Sequence, residues 1–511
     1  MSERNLPGSP DLPDSPDRPR SQDRPDASNA QHAQDRPDAS DASDSPDARD
    51  HRPAPASPRR LDRRALLQAA GVGAGVFAAG AITAGRVAMA TGTHGAKANA
   101  AASADLPLTG GRDFPIGLYW PPHPFETTLS RYREITDAGF TFLLTGNYQL
   151  DEASANQALG MADQVGLKVL VAGDPRVAAI AQHMTVTDDR KVPSSITTAD
   201  AAAWVRSSVA GYTRHPSFAG FSLYDEPGSA RFPNLGALTE IVRETAPALL
   251  PYVNLNRGNG ARYAKFLRAY LDTVQPSLLS FDRYPILTDR IDTDYFDTWA
   301  IVRAEALKAG VPAWTYIQST GFNGHATPTA SQLAWQVNVS LAYGCKGIQY
   351  FTYWTPDPAR GEGYTEALIT TDGRQTPLYA AARTLNRTWL QPVGRQLKPL
   401  VSESVQHAND TPLPTGTTPF TPGRHLTTAT GDPAVLALFK GAPDNGTRHL
   451  LVTNRDPDRP ATLRIGLNRA TVKAVSRFEP ADGTYPRADP PTTLTVELAA
   501  GAAALYRLTP N

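Results

Sequence analysis

Two adjacent acids, Asp225 and Glu226, lie at the end of the apolar run FAGFSLY (218–224), and Pro227 and Gly228 end that run. Two neighbouring carboxylates repel each other and lose hydration when they are partly buried. Both effects favour the protonated form of one carboxyl group, which is the condition for a general acid near neutral pH. The pair therefore indicates acid–base chemistry at the point where a buried strand meets a loop.

Aromatic, acidic and amide side chains also follow the other apolar runs of the central region. Rings stack on the apolar faces of sugars, while amides and carboxylates pair with sugar hydroxyls. Core packing explains any single ring equally well, so the prediction depends on the shared placement of these residues. The candidate acids are Asp225, Glu226 and Asp282, and the candidate binding residues are Tyr119, Trp120, Asn147, Tyr224, Asn254, Tyr284, Trp314, Gln318, Tyr353 and Trp354.

Eight short apolar runs alternate with helical patterns between residues 105 and 398, which predicts an α/β fold, the (β/α)8 TIM barrel. A doubly wound open sheet is the rival, but it would carry a glycine-rich phosphate loop where this chain has LYWPPHP (118–124). In a barrel the strand ends converge on one face, so the candidate residues would meet there. The predicted strands span residues 114–120, 140–147, 168–174, 218–227, 250–256, 277–285, 312–320 and 346–354.

The chain before the barrel divides into two segments of different composition. Residues 1–58 consist mainly of Asp, Arg, Pro, Ser and Ala, with the repeat QDRPDAS at 22–28 and 34–40, and this composition predicts a disordered extension. A partner-binding tail is the alternative. In residues 59–104, Arg63 and Arg64 precede a stretch rich in Ala and Gly.

This second segment resembles a bacterial twin-arginine export signal, with AMA (88–90) or ANA (98–100) as the cleavage site. An uncleaved membrane anchor is the alternative, but Gly and Ala give the stretch a weak insertion energy. We therefore expect the twin-arginine export machinery as a partner, a secreted protein, and no stable membrane anchor in the mature form.

Composition disfavours several other functions. Lys plus Arg and Asp plus Glu both number 50, so the basic excess of a nucleic-acid-binding protein is missing. The single cysteine, Cys345, permits no intrachain disulfide and no cysteine metal cluster. The histidines form no ligand pair and no GxSxG motif occurs, so we predict neither a metal, a cofactor nor a serine hydrolase.

Three segments carry a resemblance to a known group of proteins: YDEP (224–227) at the fourth strand, FDRYP (281–285) at the sixth, and the closing run from 367 to 397. With them the chain resembles the clan-A-type glycoside hydrolases, which include family 42 β-galactosidases and cellulase-like enzymes. The resemblance implies a carbohydrate substrate and a general acid/base at Glu226, the glutamate at the end of strand four.

Two residues depart from the clan pattern. Asp225 stands where the clan commonly has asparagine, and Gln318 stands where its strand-seven nucleophile, a glutamate, is expected. Asp225 or Asp282 could supply the second carboxylate, or the mechanism could be substrate-assisted, as in family 20 hexosaminidases. Hydrolysis of a poly- or oligosaccharide is the favoured interpretation, and a non-catalytic carbohydrate-binding protein is the alternative.

After residue 398 the pattern changes to short alternating strands separated by turns, without a long helix. Residues 399–511 therefore predict a small antiparallel β-sandwich. We expect it to act as a structural cap on the barrel, with sugar binding as the alternative.

Overall fold

The computed structural model describes residues 106–184, 196–486 and 492–511. The predicted disordered extension (1–58) and the predicted twin-arginine segment (59–104) lie outside the described residues. Within those three ranges, no helix combines the length and the apolar character that a membrane span requires.

Eight parallel strands close into a barrel in sequence order, which confirms the predicted TIM barrel. Each strand falls within one of the eight predicted runs. Parallel pairing continues around the whole sheet, and β8 closes it against β1. The strands are β1 (Ile116–Leu118), β2 (Phe142–Leu144), β3 (Lys168–Ala172), β4 (Phe218–Asp225), β5 (Leu250–Leu255), β6 (Leu279–Phe281), β7 (Ala313–Gln318) and β8 (Gly347–Phe351).

Helices connect the strands and surround the barrel. Their ends follow local sequence signals: Asp151 caps the second helix by accepting the backbone N–H of Ser154, and Gly166 ends it in a left-handed conformation, with φ 75°. The helices are α1 (Leu129–Asp137), α2 (Glu152–Val165), α3 (Pro175–His183), α4 (Thr198–Tyr212), α5 (Phe232–Thr245), α6 (Gly260–Val274), α7 (Tyr295–Ala309), α8 (Ala330–Ala342), α9 (Pro377–Leu385) and α10 (Gln391–Leu397), with a π-helical turn at Asn386–Leu390.

Large side chains fill the barrel interior near the amino ends of the strands. The rings of Phe142 and Trp314 are fully buried, with centroids 5.5 Å apart. Gly117 and Gly347 make room for them, because a Cβ at either glycine would collide with one of these rings. The interior is thus packed at this end, and a ligand must approach from the carboxyl ends of the strands.

The C-terminal part forms two antiparallel sheets, which confirms the predicted sandwich. One sheet has the order β10-β13-β15 and the other β14-β16-β12-β11-β9. The strands are β9 (Val401–Ala408), β10 (Leu426–Gly431), β11 (Ala434–Lys440), β12 (Arg448–Asn454), β13 (Ala461–Leu467), β14 (Val472–Arg477), β15 (Thr493–Leu498) and β16 (Ala503–Pro510).

The larger sheet of the sandwich packs on the helices of the barrel. Leu451 and Leu505 belong to the same buried cluster as the barrel core. The indole N–H of Trp335 on α8 donates to the carbonyl of Arg455 (3.0 Å), and Asn338 donates to the carbonyl of Gly501 (2.9 Å). The sandwich therefore shares its core with the outer side of the barrel.

Candidate active site

Unusual backbone conformations concentrate at the mouth of the barrel, by which we mean the loops that follow the carboxyl ends of β1 to β8. Of the seven non-glycine residues with positive φ in the described part of the chain, five lie there: Trp120, Asn147, Tyr148, Glu226 and Asn323. Asparagine tolerates this conformation, whereas a bulky side chain in it costs on the order of 1–3 kcal/mol. Strain of this kind clusters at functional sites, which makes the mouth the candidate site.

Glu226 extends from the end of β4 with φ 49°. Its backbone N–H donates to the carbonyl of Asn254 (2.9 Å), which fixes the start of the loop against the neighbouring strand. The side chain is partly exposed. Among the described residues, none forms a hydrogen bond or an ion pair with its carboxylate, so the group is available to a ligand.

Asp225 faces the barrel interior, so the two adjacent acids differ in surroundings. The amide N–H of Asn254 donates to its carboxylate (3.2 Å). Burial raises the pKa of the Tyr316 hydroxyl, and the nearby charge of Asp225 raises it further; the pKa of Tyr252 is raised by the same two causes. The Asp225 carboxylate thus lies close to the hydroxyls of both tyrosines, on β5 and β7.

Asp282 lies directly after β6 and is buried. Its backbone N–H donates to the carbonyl of Leu255 on β5 (3.1 Å). Burial chiefly, and the charge of Asp282 next, raise the pKa of the Tyr263 hydroxyl. The next residue, Arg283, is fixed by an ion pair with Asp292 (2.6 Å) that anchors the loop. Asp282 is therefore a further acid at the same face of the barrel and, unlike Asp225 and Glu226, it is buried.

Aromatic rings form a wall beside these acids. Tyr119 stacks on Phe351 with centroids 5.8 Å apart and planes 14° apart, and its edge meets Tyr316 at 6.2 Å. Tyr284 packs on Phe351 at 4.9 Å. Tyr119 remains partly exposed, whereas the other three rings are buried. The strand ends of β1, β6, β7 and β8 thus share one apolar cluster at the mouth.

Two buried ring nitrogens at the mouth, Trp120 Nε1 and His325 Nε2, have no hydrogen-bond partner among the described residues. The other ring nitrogen of His325 lies 3.0 Å from the carbonyl of Phe322. A carbonyl only accepts, so Nδ1 carries the proton. Burial chiefly lowers the pKa of His325, which favours the neutral ring and makes Nε2 an acceptor. The mouth therefore offers one unused donor and one unused acceptor.

Two exposed aromatic side chains continue this surface outward. Phe125 is 93% exposed and Tyr148 is 50% exposed. Tyr148 meets the edge of Trp120 at 6.5 Å, and the guanidinium of Arg360 lies 4.8 Å from the Trp120 ring. Trp120 is thus held between a ring and a cation at the rim of the mouth.

Gln318 serves a different role from the predicted contact with a sugar. Its side chain is fully buried and donates to the carbonyls of Ile286 (3.0 Å) and Ala326 (2.7 Å), while its oxygen accepts the N–H of Ile286 (2.9 Å). Both amide hydrogens are therefore used by backbone. The structure corrects this part of the prediction: Gln318 ties together the loops that follow β6 and β7.

Three of the predicted aromatic residues are not brought to the surface of the mouth. Trp314 lies in the packed interior near the amino ends of the strands, and Tyr353 is fully buried among the outer helices beside Tyr379. Trp354 is buried beneath His123 and Arg131. For these three rings core packing is the correct explanation.

Two other predicted residues lie near the mouth in supporting positions. The Asn147 amide donates to the carbonyl of Pro121 (2.7 Å) and joins the first two loops. The Tyr224 ring packs against the outer core beneath the guanidinium of Arg231, 5.7 Å away. The predicted residues that the structure brings together at the open site are Tyr119, Trp120, Asp225, Glu226, Asn254, Asp282 and Tyr284.

The sequence analysis missed three polar residues inside the barrel: Tyr252, Ser280 and Gln349. Two of them have a periodicity signal, because Tyr252 precedes Asn254 by two residues and Ser280 precedes Asp282 by two. In a strand this spacing places both members on the same face. A polar residue two positions before a candidate site residue on the same strand thus indicates a hydrogen-bond network in the barrel interior beneath the site.

Across the ranges that the structure describes, no group of three or more His, Cys, Asp or Glu side chains is arranged to hold a metal ion.

No protein-family model and no curated protein matches this sequence. Solved structures match in fold: the β-galactosidase from Bacillus circulans sp. alkalophilus has a TM-score of 0.54 at 10% identity, over 78% of this chain and 99% of that chain. A β-galactosidase from the psychrophilic Marinomonas ef1 scores 0.43 at 11% identity, over 56% of this chain and 62% of that chain. A glucosidase from Croceicoccus marinus has a TM-score of 0.40 at 13% identity, over 77% of this chain and 95% of that chain.

The present chain thus spans less than two thirds of the Marinomonas enzyme. The match to the Bacillus structure covers nearly the whole of that protein and exceeds a TM-score of 0.5. The resemblance to glycoside hydrolases is therefore confirmed at the level of the fold.

Proposed function

We propose that the protein hydrolyses glycosidic bonds in a poly- or oligosaccharide, with Glu226 as general acid/base. The observation that carries the proposal is the Glu226 carboxylate, which is bound by no described residue and belongs to a residue with a strained backbone at the end of the fourth strand. A general acid must reach the leaving oxygen of its substrate, so it has to be free of protein partners. The fold shared with a β-galactosidase supports the same class of reaction.

Asp225 is the proposed second carboxylate. Hydrolysis creates positive charge at the anomeric carbon, and a carboxylate beside it stabilises that charge, attacks it, or activates a water. Asp225 meets this need because the Asn254 amide fixes it next to the acid. If the substrate carries a 2-acetamido group, Asp225 would orient that group instead. Asp282 remains the other candidate.

Tyr119, Tyr284 and Trp120 are the proposed sugar-binding residues, together with His325. The partly exposed ring of Tyr119, supported by Phe351, suits the apolar face of a sugar. The unused nitrogens of Trp120 and His325 suit two hydroxyls, one as donor and one as acceptor. A neutral sugar thus fits the chemistry of the wall better than an apolar ligand does.

The test is a screen of the protein against aryl glycosides, including 2-acetamido sugars, and against plant and microbial polysaccharides. Wild type, Glu226→Gln, Asp225→Asn and Asp282→Asn are assayed for turnover, and sugar binding is measured by calorimetry. We expect turnover in wild type, and loss of turnover with retained binding in Glu226→Gln and Asp225→Asn. Binding without turnover across the whole panel would replace hydrolysis by carbohydrate binding alone.

A further inference from the structure

A chain of hydrogen bonds crosses the barrel interior beneath Asp225. The Gln349 amide donates to the Tyr252 hydroxyl (3.0 Å), which lies 2.8 Å from Ser280 Oγ. Ser280 donates to the Asn254 amide oxygen (3.0 Å), and Asn254 donates to Asp225 (3.2 Å). The chain links β8, β5, β6 and β4, so it connects both halves of the barrel.

The direction of every bond follows from the acid at its end. An ionised carboxylate only accepts, so the NH2 group of Asn254 must face Asp225, and its oxygen must face Ser280. Ser280 has one proton and gives it to that oxygen, so it must accept from Tyr252. The single proton of Tyr252 is then used, and its oxygen is left to accept from Gln349. All four bonds donate toward Asp225.

This chain of hydrogen bonds lies in the barrel interior, where apolar side chains could fill the space without needing hydrogen-bond partners. Gln349 and Ser280 are fully buried, and Tyr252 and Asn254 are almost so. Buried polar groups destabilise a fold unless each finds a partner, and linked hydrogen bonds polarise one another. In the adjoining layer of the barrel interior, Phe142 and Trp314 fill the space without polar contacts to this chain of hydrogen bonds. Packing of the interior therefore does not require a polar layer.

We propose that Tyr252 is a positioning residue that orients Asp225 through Ser280 and Asn254. Tyr252 is the branch point, because its hydroxyl contacts Gln349 and Ser280 and lies 3.5 Å from the Tyr316 hydroxyl. Without the proton of Tyr252, the Ser280 oxygen loses its donor, so the Ser280 hydroxyl is no longer held in the rotation that directs its own proton to the Asn254 amide oxygen. The role of Asp225 in turnover rests on the function proposed above, whereas the orientation of Asp225 does not.

The test compares Tyr252→Phe with a matched control, Tyr350→Phe. Tyr350 is also a fully buried tyrosine on a barrel strand, but its hydroxyl donates outward to Asn386 (2.8 Å). Both variants lose one buried hydroxyl: Tyr252→Phe removes the contacts to Gln349, Ser280 and Tyr316, and Tyr350→Phe removes the bond to Asn386. Ser280→Ala breaks the same chain one step later and decides the question if Tyr252→Phe fails to fold.

Two readouts are taken on the full protein. The Asp225 carboxyl is titrated by carbon NMR with labelled aspartate, assigned by its absence in Asp225→Asn. Turnover of the best aryl glycoside from the screen is measured as a function of pH. We expect Tyr252→Phe and Ser280→Ala to move the Asp225 titration to higher pH and to lower kcat about three- to tenfold with little change in KM, since about one hydrogen bond is lost.

Tyr350→Phe should leave the Asp225 titration and kcat unchanged. Folded Tyr252→Phe and Ser280→Ala proteins with the wild-type titration would overturn the inference. If wild type turns over no glycoside, the proposed function fails, but the titration still decides whether Tyr252 orients Asp225.

Discussion

Glu226 combines a left-handed backbone, with φ 49°, and a carboxylate that no described residue binds. Such a conformation persists only where the surroundings over-determine it. Here the Asn254 carbonyl fixes the backbone N–H of Glu226, and the next residue, Pro227, is buried. The single residue is therefore held in an unfavourable conformation by its neighbours, which is the pattern expected when stability is exchanged for function.

Gln318 gives a second prediction at the scale of a single residue. Gln318→Glu restores the residue type expected of a strand-seven nucleophile, but it should not create activity, because the side chain faces the carbonyls of Ile286 and Ala326. A buried carboxylate against carbonyl oxygens should lower the free energy of unfolding by roughly 3–5 kcal/mol. Denaturant unfolding measures the loss of stability, and the aryl glycoside assay measures turnover. A stable variant with higher turnover than wild type would contradict the loop-tying role.

The acids of the site are predictable from sequence, and several of the rings are not. Asp225, Glu226 and Asp282 follow strands and carry charge, so burial without function would be costly. Trp314, Tyr353 and Trp354 have the same composition signal as Tyr119, yet they face the core. The side of the sheet is set by strand register and by local bulges such as the one in β4 between Ser222 and Tyr224, which sequence patterns do not resolve.

At the scale of elements, the close contact between α8 and the sandwich determines whether the barrel and the sandwich unfold together. Gly501 lies against α8 with φ 66°, and a Cβ there would collide with the carbonyl oxygen of Ser331 and approach Trp335. Only glycine fits this approach. We therefore expect the sandwich to unfold together with the barrel.

Gly501→Ala tests this contact against a matched control, Gly483→Ala. Gly483 has a similar conformation, with φ 71°, but no atom of the described residues lies within 4 Å of a Cβ placed there. Both variants add backbone strain of about 1 kcal/mol, and only Gly501→Ala should add roughly 1–3 kcal/mol from the collision. Chemical denaturation measures the difference. Equal losses of unfolding free energy in the two variants would show that Gly501 is not tightly packed against α8.

The barrel was predictable because each of its strands is a buried apolar run. The sandwich strands β9 and β10 have a weaker sequence signal, since VSESVQHA and LTTATG are largely polar. Both lie at an edge of their sheet, where polar residues protect against unwanted pairing. These two edge strands therefore lack the hydrophobic signal on which sequence prediction depends.

At the scale of the whole molecule, His449 on β12 should make stability depend on pH. Burial, and then the charge of Arg507, lowers the pKa of His449 to about 4. The unfolded chain takes up this proton near pH 6.5 and the folded protein only near 4, so stability falls as the pH falls between these values. His449→Gln should flatten that decline when unfolding is measured from pH 7 to 4. An equally steep decline would contradict the assignment.

Export of the molecule is predicted to depend on Arg63 and Arg64. Changing both to lysine should retain the precursor in the cytoplasm of a bacterial host, because lysine lacks the planar guanidinium that such a site reads. Cell fractionation with an antibody against the protein measures the distribution. Normal secretion of the double variant would rule out the twin-arginine assignment.

The central claim, that Glu226 protonates the leaving oxygen, is tested most directly by a leaving-group series. Aryl glycosides of one sugar with graded leaving-group acidity are assayed with wild type, Glu226→Gln and Asp225→Asn. Glu226→Gln should lose about 10²–10⁴-fold in kcat/KM on poor leaving groups and far less on activated ones, which need little protonation. Asp225→Asn should lose a similar factor on all of them, because its charge acts at the anomeric carbon. An equal loss in Glu226→Gln across the whole series would contradict the role of Glu226 as the acid.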